Sequence, residues 1–200
     1  MPDRLASLAD IEAAIWRELQ QAIHGRGHPW RTAVLATVDG DAADARNVVL
    51  RDLDAAQRTL LMYTDARSPK ARQVAAHSQG MLVLWSPALG WQLRLRVALS
   101  LETSGLRVSS RWAKLKLTPA AQDYLSPMAP GTALDESTPG TALNPSTPGT
   151  ALDAPAPERQ SREHFAVLAA QVQSVDWLEL HAQGHRRALF SAAGAAWITP

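Results

Sequence analysis

A set of cations and hydroxyls is spread between positions 46 and 70, in the run ARNVVLRDLDAAQRTLLMYTDARSPK that begins one residue before Arg46. Arg46, Arg51, Arg67 and Lys70 supply charge, and Thr64 and Ser68 supply neutral donors. Cations interleaved with hydroxyls can satisfy the many acceptor oxygens of a phosphate. The chemistry they suggest is the binding of an anionic, phosphate-bearing ligand; the alternative is a solvated basic hairpin rim.

Two apolar strands must hold these groups. ARNVVLR and the stretch from Leu60 to Thr64 each read as strands, and TAVLATV pairs with the first through an Asp39-Gly40 turn. In SPKARQVAAHS, Ser68 is a candidate N-cap, Pro69 fits the first helical position and Val74 faces the core, so a short helix begins beside Lys70. A phosphate there would also meet unpaired amides.

An earlier helix is expected from Leu8 to about Ile23, because Leu8, Ile11, Ile15 and Leu19 recur at helical spacing and Ser7 with Asp10 resembles a capping box. Trp16 flanks that stripe as a packing residue, and Gly25, Gly27 and Pro29 end the helix. GMLVLWS and WQLRLRVALSLE read as further strands. In the second, Trp91, Leu93, Leu95 and Val97 alternate with Gln92, Arg94 and Arg96, the period of a half-exposed strand. Gln92 carries an amide that can donate to and accept from a heterocycle, or simply face solvent. Two or three strands follow Arg162, with Arg186 and Arg187 at the start of one of them, where alternation lets only one face a ligand.

Composition narrows the class. The chain has 200 residues, enough for one substantial core in a single domain. Twenty basic residues against nineteen acidic ones leave a net charge of +1, so no global field demands nucleic acid or an anionic membrane. The absence of cysteine removes disulfides, thiolate catalysis and cysteine-ligated metals. No run approaches the roughly 18 apolar residues of a membrane span, and charges interrupt the N-terminal stretch, which leads us to expect a cytoplasmic protein.

A nonapeptide repeat interrupts the second half: PGTALDEST, PGTALNPST and PGTALDAPA start at Pro130, Pro139 and Pro148. Recurrent proline blocks a continuous helix or central strand, and nine residues are too few for a solenoid unit. We expect residues 130–156 to form a surface loop, replicated from one unit, with dispensable extra copies.

Other polar groups are weaker candidates. His24 and His28 lack acidic or cysteine partners at metal spacing, and His181 and His185, four apart, lie where alternation favours strands and a turn over one metal-binding helix. Asp39, Asp41 and Asp44 lack the calcium-loop pattern. Arg107, Arg111, Lys114 and Lys116 form a short basic patch with Trp112 as its one stacking group, too little for a nucleic-acid site.

Four motifs in order, R-x-V-V-L-R from Arg46, L-x-Y-T-D-x-R-S-x-K through Lys70, W-x-x-x-x-x-W-Q-L-R-L from Trp85 and V-D-W-L-E-L with H-R-R, resemble the pyridoxamine 5'-phosphate oxidase-like, FMN-binding split-barrel family. The resemblance implies a mainly β fold with flanking helices, a six-stranded split β-barrel, assembled as a homodimer with FMN at the interface. It implies that Arg46 and Lys70 bind the FMN phosphate and that Val48, Val49 and Leu50 line the flavin. Arg51 stands where the family's oxidases have a lysine near flavin and substrate. Tyr63 and Thr64 match a cofactor-contacting strand end, and Ser68 lies in the same turn. Pro69 replaces a basic residue often found beside the phosphate-binding lysine, for which Arg67 would compensate. Gln92 matches a flavin-contacting glutamine, and Arg187 a late cofactor-site arginine, with either Trp177 or Leu178 against the flavin.

By the same resemblance the function is that of an FMN-binding oxidoreductase acting on a small-molecule redox substrate, with no side-chain nucleophile assigned. The alternatives are a non-catalytic flavin-binding protein or a relative that takes another phosphate-bearing ligand. Family members that oxidise vitamin B6 phosphates grip the substrate phosphate with a tyrosine, an arginine and a serine after the glutamine strand, and with an arginine two residues before a late histidine. Here RWAKLKLTPAAQDYLSPMAPG offers no convincing equivalent in order and spacing, and Gln183 stands two residues before His185. A neutral amide does not replace arginine's charged fork.

Overall fold

The computed structural model describes residues 4–133 and 162–200. Among these residues eight strands, β1 (Thr32–Asp39), β2 (Ala42–Asp54), β3 (Thr59–Asp65), β4 (Gln79–Ser86), β5 (Trp91–Glu102), β6 (Phe165–Glu179), β7 (Arg186–Ser191) and β8 (Gly194–Ile198), form one antiparallel sheet. Among the described residues three α-helices flank it: α1 (Leu8–His24), α2 (Pro69–Ala76) and α3 (Leu106–Leu115).

Strand order is β3-β2-β1-β4-β5-β6-β7-β8, with a further pairing of β3 to β6. That last pairing closes the first six strands into a ring, the barrel anticipated above, while β7 and β8 extend the sheet beyond it. The split arises within β6. Its first half, 165–171, pairs with β3, whereas Ser174 to Glu179 pair with β7; β5 runs along both halves. Closure removes strand edges that would otherwise present unpaired amides.

Local chemistry explains the start of the chain. Ser7 Oγ accepts from the Asp10 amide at 3.0 Å and donates to the Asp10 carboxylate at 2.6 Å, so the expected cap forms. Ile11, Ile15 and Leu19 are fully buried on the barrel, and the Gly25 amide closes the helix on Gln21 O. The Asp39-Gly40 turn joins β1 to β2 with Gly40 at φ +61°, a conformation glycine adopts without Cβ strain.

Two apolar clusters result. The larger fills the barrel and the α1 contact, with Trp30 and Trp177 fully buried in it. The smaller packs Leu61, Phe165 and Val167 against Val108, Trp112 and Leu115 of α3 and against Tyr124. No sequence expectation covered α3, although Val108, Trp112 and Leu115 have helical spacing. Trp112 is 4% exposed, and Arg107 and Arg111 pair with Glu102 and Asp52, so the basic patch has no free stacking ring. The nonapeptide repeats from residue 134 onward lie outside the described residues.

Candidate functional site

At the barrel end beside α2, β2 and the helix start bring Arg46 and Lys70 together. Lys70 Nζ donates to Thr64 Oγ1 at 3.1 Å, and Thr64 Oγ1 lies 3.2 Å from Ser68 Oγ; both hydroxyl residues are buried. Burial, and then the positive charge of Arg46, hold the Lys70 ammonium below the usual lysine range, against the opposing effect of Asp65. A half-buried cation next to another cation favours an anionic visitor. An ammonium carries three donors and this one spends one among the described residues, which leaves two for a ligand.

The Arg46 guanidinium is more fully engaged. Its Nη1 donates to Leu35 O at 3.3 Å and to Thr37 Oγ1; its Nη2 donates to Gln73 Oε1 at 2.8 Å and to the Asp44 carboxylate. Gln73 in turn donates to Asp44 at 2.8 Å, and Thr37 donates to Gln73 Oε1 at 2.7 Å. Sequence reasoning missed Thr37 and Gln73, and it weighed Asp44 only as part of a cation loop. A signal existed for two of them: Thr37 is a polar residue in phase with buried Ala33 and Leu35, and Asp44 sits two positions before Arg46 on the same strand face.

Arg67 is committed elsewhere. Its guanidinium meets the Asp65 carboxylate through Nε at 3.1 Å and Nη2 at 2.7 Å, and it donates to the carbonyls of Ser126, Pro127 and Met128. Carboxylate hydrogen bonds hold its pKa above the ordinary arginine value. It fastens the segment at 126–128 to the end of β3.

Strand alternation divides the β2 residues. Val48 and Leu50 point into the core, 9% and 0% exposed, so their side chains cannot line a ligand cleft and only their backbone could reach one. Val49 and Arg51 point the other way. The Arg51 guanidinium lies 5.7 Å from the Tyr63 ring, in the region of Tyr124. Burial pushes the Tyr124 phenol up to about 12, with Arg51 opposing, and burial also raises Tyr63. Both phenols are therefore protonated donors at neutral pH.

Gln92 and Arg187 form a separate group on the outer face of the sheet. The backbone register runs Trp85, Gln92, Leu178, Arg187 across β4 to β7. Trp177 faces inward and packs edge-on against Trp91 at 5.4 Å, so Leu178 is the residue that lies between Gln92 and Arg187. Arg187 grips Asp176 through two bonds of 2.9 and 2.7 Å, and Arg94 reaches the same carboxylate at 3.4 Å. Within one chain, this outer row and the inward-facing Arg46 occupy opposite faces of the sheet.

His28, His181 and His185 serve local structure. His28 caps the Trp30 amide and meets Glu18 at 3.2 Å, while His181 and His185 accept backbone amides of their own turn. Among the described residues, no three His, Cys, Asp or Glu side chains are grouped to hold a metal, and no helix is long and apolar enough to cross a membrane.

Residues 13–101 match the family model described as pyridoxamine 5'-phosphate oxidase, FMN-binding domain. A pyridoxine/pyridoxamine 5'-phosphate oxidase of Azorhizobium caulinodans is 43% identical over 63 residues, covering 31% of this chain and 29% of that relative. The match thus spans less than a third of the relative's length. Two solved structures share the fold. A pyridoxamine 5'-phosphate oxidase-related, FMN-binding protein from Nostoc punctiforme superposes with a TM-score of 0.71 at 23% identity, covering 98% of this chain and 100% of the other. PhzG from Burkholderia lata, solved with tetrahydrophenazine-1-carboxylic acid, gives 0.69 at 16% identity, covering 99% and 98%.

Proposed function

We propose, on the premise that this chain belongs through residues 13–101 to the pyridoxamine 5'-phosphate oxidase-like, FMN-binding family, that it binds FMN and acts as an FMN-dependent oxidoreductase on a small organic substrate. The observation that carries the reading is the convergence of Lys70 and Arg46 beside the buried hydroxyls of Thr64 and Ser68. Two cations and two hydroxyls match the charge and acceptor count of a terminal phosphate.

In this reading Lys70 directs its two remaining N–H donors at the phosphate, Arg46 adds charge, and Thr64 fixes the ammonium. FMN, once bound, supplies reversible electron transfer at its isoalloxazine ring. The polypeptide orients that ring and controls the hydrogen bonds to its edge. Gln92 has the amide for this role, and Arg187 a cation held in place by Asp176. Arg51, with the protonated phenols of Tyr63 and Tyr124 nearby, supplies charge and donors where an anionic substrate group would approach.

Gln92 and Arg187 lie across the sheet from Arg46, which supports assembly as a homodimer. A second copy would bring the partner's Gln92 and the partner's Arg187 to a cleft that one chain leaves without them. The exposed apolar side chains Val34, Trp85 and Leu189 on this outer face suit burial against that copy.

Gln183 lies in an exposed turn and brings no charge, so the reading does not extend to vitamin B6 phosphates. The test is purification under gentle conditions, cofactor identification by mass and absorbance, and anaerobic mixing with organic donors. Bound FMN that bleaches with a donor supports the oxidoreductase reading; a colourless protein that does not take up added FMN overturns it.

A further inference from the structure

We propose that Asp44 is an internal counter-ion that holds the place of a ligand phosphate on Arg46 and is displaced when that phosphate binds. The proposal rests on the reading of the Arg46 and Lys70 end as the FMN phosphate site.

All four terminal N–H groups of Arg46 are spent inside the protein, on Leu35 O, Thr37, Gln73 and Asp44. Three of these partners are fixed. Leu35 O belongs to the β1 backbone, and Thr37 and Gln73 are 3% and 4% exposed. The Asp44 side chain, at 43%, is the solvent-facing partner and the only one that carries charge. It can swing outward without opening a buried hole.

Removing Asp44 would not release Arg46. Gln73 Oε1, Thr37 and Leu35 O would still orient the guanidinium, and Gln73 stays bonded to Thr37. What leaves with Asp44 is one negative charge and an acceptor shared by Arg46 and the buried Gln73 amide, and a phosphate oxygen can supply both. A phosphomonoester dianion brings more charge than the carboxylate and also meets Lys70, which makes no bond to Asp44 among the described residues. The exchange moves no covalent bond. It lets the two cations sit near each other with partial compensation while the site holds no ligand, at the cost of weaker phosphate binding than the cations alone would give.

The experiment titrates folded apoprotein, wild type and Asp44→Asn, with FMN and with riboflavin, which lacks the phosphate; inorganic phosphate serves as competitor. Asp44→Asn keeps an acceptor and removes the charge. FMN should bind about 5- to 10-fold tighter, the scale of one unit charge about 4 Å away screened as in bulk water, which suits a solvent-facing carboxylate. Riboflavin should stay within about twofold, and inorganic phosphate should displace FMN at different concentrations in the two proteins. Asp44→Ala should shift FMN in the same direction. FMN affinity that is unchanged or weaker in both folded variants overturns the proposal, as does equal tightening of riboflavin. Wild type without preference for FMN over riboflavin overturns the phosphate-site reading and this proposal with it. Wild-type preference without a gain in the variants overturns this proposal alone.

Discussion

Arg186 and Glu179 face each other across the β6 and β7 pair, joined by bonds of 2.9 and 3.1 Å, and Arg4 closes on the same carboxylate at 2.9 and 2.5 Å. Burial pushes the Glu179 carboxyl up, but the hydrogen bonds from Arg186 and Arg4 outweigh it and hold the group below the usual carboxylate range. The N-terminus before α1 is thereby tied to the strands that extend the barrel.

A pH-dependent contribution to stability follows. Because the folded value lies below the unfolded one, the stabilisation is complete above about pH 5 and is lost as pH falls through the depressed folded value. Glu179→Gln should cost about 2 to 4 kcal/mol at pH 7, since two arginines lose their buried partner. Denaturant melts of both proteins between pH 7 and pH 3 should show the gap closing on the acid side. A gap constant over that range would mean that the carboxylate charge is not the stabilising element.

Arg67→Ala separates a fastening role from a cofactor role. It removes a two-bond carboxylate contact and the anchor of the 126–128 carbonyls. Stability should fall by about 1 to 3 kcal/mol, and amide exchange near residues 126–128 should accelerate. The preference for FMN over riboflavin should change less than about threefold. Loss of that preference with stability intact would place Arg67 at the phosphate.

How much of this was legible in sequence depends on the range of each interaction. The alternation Trp91, Leu93, Leu95, Val97 is local, and it assigned the faces of β5 correctly, as the serine cap did for α1. The same alternation, applied to β2, puts Val48 and Leu50 in the core, whereas the family resemblance implies Val48, Val49 and Leu50 as one block lining the flavin. Arg67 was harder to place. Its partners at 126–128 are some sixty positions away, and no local pattern announces a guanidinium that fastens a distant loop. Gln73 was likewise unreadable, because its buried amide is specified by Thr37, Asp44 and Arg46 on two strands.

The assembly can be tested by complementation. If each cleft takes Lys70 from one protomer and Gln92 with Arg187 from the other, Lys70→Ala and the double change Gln92→Leu with Arg187→Ala should each bind FMN poorly alone. Mixed and reassociated, about half the molecules should be heterodimers with one intact cleft, so about a quarter of all clefts should regain wild-type affinity. Size exclusion with bound-flavin absorbance would read both quantities. A monomer with full FMN occupancy would contradict the arrangement.

Gln92→Leu alone should act electronically. Removing an amide that bonds differently to oxidised and reduced flavin should shift the reduction potential while FMN affinity stays within about tenfold. A spectroelectrochemical titration that gives the wild-type potential at full occupancy would place Gln92 away from the ring.

The central claim is that the Lys70 end is a phosphate site, and the most direct measurement is the ratio of riboflavin to FMN dissociation constants in wild type and Lys70→Ala apoprotein. Loss of a charge-assisted contact worth about 1.5 to 3 kcal/mol should weaken FMN by roughly 10- to 150-fold and leave riboflavin unchanged. Equal affinity for the two ligands in wild type, or a ratio that survives Lys70→Ala, would contradict the account.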